Sequence, residues 1–381
     1  MDCSQPLDPA ARDEVRRKFY RIVEYFDHTS GPDSTKSVGG SSPRYNCAKL
    51  IRLTHDYAIS PVSQDTYLRA FFRALELPID IDGSEDVESD LDEKAQARFL
   101  GFADYLLNNF FLPIKASARK TYQPPPEFHY DTPSPQDGNS FVETPDRLSA
   151  LNDACLIRDR HRCVVTRKFD SDEAETRLKR DGESARDDDG VPFEDDPRPF
   201  YLLKVAHILP GSLARSKKGT ELNPSKQAAL SILNMLDDGV VHLIEGADID
   251  KPRNAVTLDH NLHHWFSNFD IFFEPVPDAD DHTYRIGFSL PSILVRGILP
   301  VVRKLYLTEE RTIEPPSPRL LAIHRAIAHI LHLSGASNYI NTILKDLEKA
   351  QWHCAEADGS TDLGRLVHLG LCLDGTIKAQ R

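Results

Sequence analysis

The chain has 381 residues, 40% of them hydrophobic, enough to bury full-sized cores in two or three domains. No disulfide or metal staple is then needed for stability, which leaves any metal site free for chemistry. A formal net charge of −13 excludes a protein held to nucleic acid by bulk electrostatics and requires any such contact to use a local basic surface.

The first residues, MDCSQPLDPAARDEV, lack an apolar leader behind basic residues, and no uncharged apolar run approaches the ~20 residues that span a bilayer. The expectation is an intracellular protein of cytoplasm or nucleus, not secreted, with no membrane segment. The six cysteines stand far apart with no C-x-x-C pair, so they read as reduced thiols and not as a zinc ribbon or disulfide framework. Val15, Phe19, Ile22, Val23 and Phe26 fall on one face at helical spacing, as do Leu68, Phe71, Phe72 and Leu75. Phe102, Leu106 and Phe110 predict a third helix that ends at Pro113, so residues 1–115 read as a helical N-terminal domain. Between the first two helices, HTSGPDSTKSVGGSSPRYN reads as a mobile loop.

From 116 to 145 the prolines of YQPPPEFHYDTPSPQDGNS deny helix and central strand alike and predict a linker. Residues 146–290 form a mixed region, interrupted at 170–199 by twelve acidic and five basic residues with almost no apolar ones. Such a composition predicts a disordered insertion, because too little surface is buried to offset the entropy of ordering. Residues 291–381 read as a C-terminal helical region: Leu320, Ile323, Ile327 and Ile330 form one stripe, Gly335 is placed to cap it, and Tyr339, Ile343 and Leu347 follow on a second helix. His324, His329 and His332 lie on the first of these helices with no acidic or sulfur-bearing neighbours, and read as structural. No Walker A, G-x-S-x-G or G-x-G-x-x-G pattern is present, which leaves nucleotide-hydrolase, serine-hydrolase and dinucleotide readings without support.

The chemistry is concentrated in two stretches. His207 stands in an apolar run (Val205, Ala206, Ile208, Leu209) that stops at Pro210 and Gly211; alone, it reads as a core histidine. Further on, Asn254 opens the short strand NAVTL, DHNLHHWF follows as a brief helix with Asp259 as a natural N-cap, and FDIFFEP is extended. Asp259 and His263 share a helix face, and so do His260 and His264, so either pair offers two metal ligands. Arg215, Lys217, Lys218 and Arg253 flank these stretches and suit phosphate contacts, or a solvated loop.

Together, Ala206-His207-Ile208, Asn254-Ala-Val-Thr-Leu and Leu262-His263-x-x-Phe266 resemble the HNH endonuclease family, whose ββα-metal motif puts a His at the end of the first strand, an Asn after it and a His on the helix. The upstream HRCVVTRKFD is similar to the Cys-Val-x-Thr hairpin that often precedes the first His. With AHILPGSL and LHHWFSNFDIFFEP, the likeness is closest to HNH domains of uncharacterised fungal proteins, and it covers residues 150 to 290.

The resemblance implies an α+β fold, a central ββα-metal domain flanked by N-terminal and C-terminal helical regions. It also implies a metal-dependent endonuclease acting on nucleic acid, DNA in the first place. Phosphodiester hydrolysis needs a water deprotonated near neutral pH and a cation on the developing charge, tasks that suit an imidazole and a bound metal. By resemblance, His207 is the general base, Asn254 braces the loop or orients the base, and His263 holds one divalent ion (Mg²⁺, Mn²⁺ or Zn²⁺); helix spacing leaves Asp259 as a further ligand or an ordinary N-cap. Many HNH enzymes carry Asp or His just before the base, where this chain has Ala206, so the ligand count is open. The rival reading is a catalytically silent HNH-fold protein that binds nucleic acid or a protein partner. The acidic balance and Ala206 point that way, while the intact His, Asn and His point to the enzyme.

Overall fold

A computed structural model describes residues 7–29, 35–37, 44–79, 91–122, 145–213, 224–308 and 312–352. In chain order the elements are α1 (Pro9–Thr29), β1 (Thr35–Ser37), β2 (Arg44–Asn46), α2 (Cys47–Asp56), α3 (Pro61–Leu75), α4 (Glu93–Leu106) and α5 (Leu112–Tyr122). There follow α6 (Pro145–Arg158), α7 (Ser171–Asp181), β3 (Leu203–His207), α8 (Pro224–Leu236), β4 (Ala255–Asp259) and α9 (His260–Ser267). The last are β5 (Ile271–Pro275), β6 (Thr283–Phe288), β7 (Val301–Lys304), α10 (Pro318–Leu333) and α11 (Ala336–Trp352). This mixture of helices and small sheets divides into two compact units, one of Met1–Ala116, Leu222–Val241 and His329–Arg381, the other of Ser117–Glu221 and His242–Ala328. The division differs from the one read along the chain: α8, drawn from within 146–290, joins the N-terminal helices, and residues 291–328 stay with the strand-bearing unit.

In the helical unit the apolar stripes are buried as their spacing predicts. Phe19 of α1 meets Phe71 of α3 edge-on at 4.9 Å, and Phe26 meets Phe99 of α4 at 4.7 Å, contacts that favour rings over aliphatic side chains. The helix expected to end at Pro113 instead continues. A π-helical turn over Leu107–Phe111, in which Leu112 N–H donates to the Leu107 carbonyl, widens the helix where the proline ring would otherwise strike the carbonyl of the preceding turn. The Ser/Gly-rich stretch expected to be a mobile loop contains the antiparallel pair β1 and β2, with Lys36 opposite Tyr45; its remainder lies outside the described residues. Directly after it comes α2, which the sequence reading missed. Asn46 caps it by accepting from Lys49 N–H at 2.7 Å, and Cys47, Leu50, Ile51 and Thr54 do repeat at helical spacing.

The expected linker at 116–145 is helix up to Tyr122 and helix again from Pro145, with the stretch between outside the described residues. In the C-terminal region, read as helical over 291–381, β7 precedes the helices; Leu320, Ile323, Ile327 and Ile330 of α10 are buried, and Gly335 adopts φ 79° between α10 and α11, a left-handed cap that glycine takes without strain.

The acidic stretch 170–199 is ordered, contrary to expectation. α7 and two short 3₁₀ turns close over a small cluster of Phe169, Ala174, Ala185 and Phe193. Its charges are matched: Arg162 reaches Asp187 at 2.6 Å and Asp196 at 2.9 Å, and Arg177 reaches Glu173 at 2.8 Å and Asp188 at 2.7 Å. Burial alone would raise the Asp188 carboxyl, yet the hydrogen bonds from His161 and Arg177 hold it at about 2. Asp170 caps α7 with one oxygen and accepts from Leu203 N–H at 2.9 Å with the other, which ties the stretch to the start of β3. Composition counted the carboxylates as a solvated run, whereas arginines inside and just before the segment turn them into structure.

Candidate active site

β3 and β4 pair antiparallel, Leu203 opposite Asp259 and His207 opposite Ala255, and α9 follows β4 at once. Every residue of β4 is buried, so its outer edge needs partners. Val164 N–H supplies one by donating to the Thr257 carbonyl at 3.0 Å, and Asp159 supplies another by accepting from Thr257 N–H at 3.3 Å. Asp159 is in turn paired, twice, with the adjacent Arg158, and both side chains are fully buried. The Arg158 guanidinium also donates to the Pro252 carbonyl at 2.7 Å and the Ala255 carbonyl at 3.0 Å, clamping the chain on either side of Asn254. None of this network was apparent in the sequence.

Asn254 lies just before β4, at the end of a 3₁₀ turn, and is buried completely. Its amide accepts from Leu209 N–H at 3.0 Å and donates to the Leu209 and Ile249 carbonyls at 2.9 Å, while its own carbonyl accepts from Ile208 N–H at 2.7 Å. Three of these bonds hold the chain immediately after His207 and the fourth ties Asn254 to the turn at Ile249, so the last residue of β3 is presented on a braced turn.

His207 is 14% exposed, and its Nε2 stands 3.2 Å from Oδ1 of Asp250. The sequence reading missed Asp250. It closes the 3₁₀ turn Gly246–Asp250, four residues before Asn254, and the same braced turn brings it to His207. Its Oδ2 is buried without a hydrogen bond, 4.0 Å from an Arg147 nitrogen. The only signal in the sequence was an aspartate shortly ahead of the Asn-led strand.

His263, on α9, and His207 line one cavity of about 250 Å³, with Val205, Leu151 and His324 also on its wall. Burial first, and then the positive charge of Lys204 and the neighbouring His260, push the His263 imidazole down to about 4, against a hydrogen bond to the Val205 backbone. It is therefore neutral near pH 7, and its Nδ1 is buried with no hydrogen-bond partner. A neutral ring with one nitrogen on a backbone group and the other unclaimed fits a metal ligand. Among the described residues, no group of three or more His, Cys, Asp or Glu is arranged to hold a metal, so the fit is that of one imidazole, with water and phosphate oxygens left to complete the coordination shell.

The other expected site residues fare differently. Asp259 caps α9, accepting from Leu262 N–H at 3.1 Å, and its second oxygen accepts from the Thr166 hydroxyl at 3.1 Å. Each oxygen thus accepts one hydrogen bond, and Asp259 serves as the N-cap that the sequence also offered. Arg253 is ion-paired with Asp248 at 2.8 Å and Glu314 at 3.3 Å. Arg215, Lys217 and Lys218 lie outside the described residues.

His324, expected to be structural, also lines the cavity, and its Nδ1 is buried with no hydrogen-bond partner. Its ring stacks on Phe266 at 4.0 Å and on Phe269 at 4.6 Å, and Nε2 stands 3.0 Å from the Phe266 carbonyl. Burial pushes this imidazole from 6.5 down to about 3. The folded chain then keeps it neutral while the unfolded chain takes up its proton below about pH 6.5, so this contribution to stability is complete above that pH and falls as the pH drops towards 3. The loss between pH 7 and pH 5 amounts to about 2 kcal/mol. Thermal unfolding should show it as a fall in Tm on acidification, smaller in His324→Phe than in the wild type; equal falls in both would mean that this ring titrates normally.

A strand ending in His, a braced Asn before the second strand, and a helix carrying a second His across a shared cavity make up a ββα unit. Residues 163–274 match the HNH_2 family of HNH endonucleases, a stretch that runs from the hairpin before α7 into β5 and contains the whole unit. A domain of this family suggests nuclease activity, implies nucleic acid as substrate and typically uses a divalent metal. No curated protein and no solved structure matches the chain, and the finer likeness to fungal proteins rests on the sequence alone. Among the described residues, no helix is long and apolar enough to cross a membrane.

Proposed function

We propose that this chain is a metal-dependent endonuclease that hydrolyses phosphodiester bonds in DNA, with His207 as general base and His263 as the protein ligand of one divalent ion. The observation that carries the reading is the pair of histidines on one cavity wall, one held by a buried carboxylate and the other neutral with an unclaimed nitrogen. Asp250 accepts the Nε2 proton of His207, which leaves the Nδ1 lone pair to take a proton from the attacking water. Asn254 keeps the turn behind His207 rigid, so the base does not need to be ordered at the moment of reaction. A bound divalent ion supplies positive charge for the phosphate and its leaving oxygen.

Incubation of the purified protein with plasmid and single-stranded DNA, across Mg²⁺, Mn²⁺ and Zn²⁺ and with chelator, tests the activity. Cleavage that depends on the ion is expected; binding without cleavage under every ion would assign the chain to the silent class. For the ligand, calorimetric titration with Mn²⁺ should lose its signal in His263→Ala and keep it in His264→Ala. The reverse order would move the ligand one residue along α9.

A further inference from the structure

Most arginines around the HNH unit are neutralised. Arg158, Arg160, Arg162, Arg177 and Arg198 each pair with an aspartate or glutamate, as expected of a chain with a net charge of −13. Two are different. Arg167, at the tip of the hairpin that starts the family match, has φ 62°, and its guanidinium lies over the Tyr306 ring, 4.1 Å from the centroid. One of its nitrogens donates to the Lys304 carbonyl, and another, Nη1, is buried with no hydrogen-bond partner. Arg303, on β7, donates to the Val165 carbonyl at 2.6 Å and the Val302 carbonyl at 3.0 Å. Among the described residues, neither guanidinium has a carboxylate within ion-pair distance.

The two charges act on one another. Burial first, and then the charge of Arg167, hold the Arg303 guanidinium below its usual range, with Arg198 adding to the effect. Two cations held together by backbone carbonyls and an aromatic ring, in a strongly acidic protein, lack the anion that would offset their repulsion. Arg160 also lies over Tyr306, at 5.5 Å from the ring centroid. A phosphate suits the vacancy better than a carboxylate ligand would, because it offers several oxygens to two forked donors at once.

We propose that Arg167 and Arg303, with Tyr306 beneath Arg167, form a phosphate-binding site for the DNA backbone, separate from the cavity of His207 and His263. The proposal rests on the nuclease reading for its substrate and extends it to where the duplex is gripped. The hairpin meets the Asp259 end of β4, through Thr166, while His207 stands opposite Ala255 at the other end. Four residues of strand separate these ends by about 14 Å, which corresponds to roughly four base-pair steps along the duplex axis. The site therefore holds the backbone several nucleotides from the bond that is cut.

The test uses the full chain and a 20-base-pair DNA duplex, with binding followed by fluorescence anisotropy in chelator over a range of salt concentrations. Arg167→Gln should weaken binding roughly fivefold or more and reduce the slope of log Kd against log salt by about 1, with Tm unchanged. Arg167→Lys, which keeps the charge, should retain the slope and lose only part of the affinity. Arg303→Gln combined with Arg167→Gln should reduce the slope by about 2. Unchanged affinity and slope in Arg167→Gln would overturn the proposal, as would a wild type that binds no duplex. Because chelator removes cleavage from the readout, a wild type that cuts nothing but shows these slopes sinks the nuclease reading and keeps the site, whereas ion-dependent cutting with unaltered slopes does the opposite.

Discussion

Replacing His207 with alanine lowers the rate of phosphodiester cleavage by roughly 10²- to 10⁴-fold while the protein keeps its fold and its affinity for DNA. The size is that of a positioned general base, and the separation from stability follows from how the turn is built. The chain after His207 is held by bonds between Asn254 and the backbone of Ile208 and Leu209, none of which uses the imidazole. Truncating a ring at a strand end therefore removes the proton acceptor and leaves the scaffold in place. A histidine that merely filled the core would behave otherwise, since its loss would open a cavity and lower Tm together with every activity. Asp250→Asn provides a second arm: it keeps the shape beside Nε2 and removes the charge, so cleavage falls, and combining it with His207→Ala should add little. Cleavage rate and Tm measured on the same variants decide the matter. Parallel loss of Tm and activity in His207→Ala, or a rate close to wild type, would remove His207 from the chemistry.

Asp159→Ala should destabilise the strand-bearing unit by about 3–5 kcal/mol, the usual cost of leaving one member of a buried ion pair alone. Burial works against the charge of Arg158, and the adjacent Asp159 more than restores it, so the guanidinium stays charged in the interior. Without Asp159 that charge is uncompensated, and Thr257 N–H loses its acceptor in the middle of β4. Because Arg158 also bonds the carbonyls of Pro252 and Ala255, the damage extends to the turn that carries Asn254. Urea denaturation followed by intrinsic fluorescence measures the shift in midpoint. Replacing both residues by apolar ones of similar volume should recover part of the loss. A cost below about 1 kcal/mol for Asp159→Ala would mean that water reaches the pair.

What the sequence determined by itself was local or carried by motif. The stripes of α1, α3 and α10 repeat at three- and four-residue spacing, so burial of one face follows wherever the helix packs. The His207, Asn254 and His263 pattern was legible because each residue type sits on a short, recognisable element. Tertiary structure decided the partners. Asp250 meets His207 across 43 residues of chain, Arg162 meets Asp187 across 25, and Arg303 meets Val165 across 138. Asp259 was legible as a cap or as a ligand, and only the fold brings the hydroxyl of Thr166, 93 residues away, to its second oxygen. The same holds for the acidic stretch at 170–199, where composition sees like charges in water and the fold sets arginines among them. A charged side chain has no preferred neighbour at a fixed spacing, so its energy depends on which group the fold brings to it and on how far water is excluded, and neither is written in local periodicity.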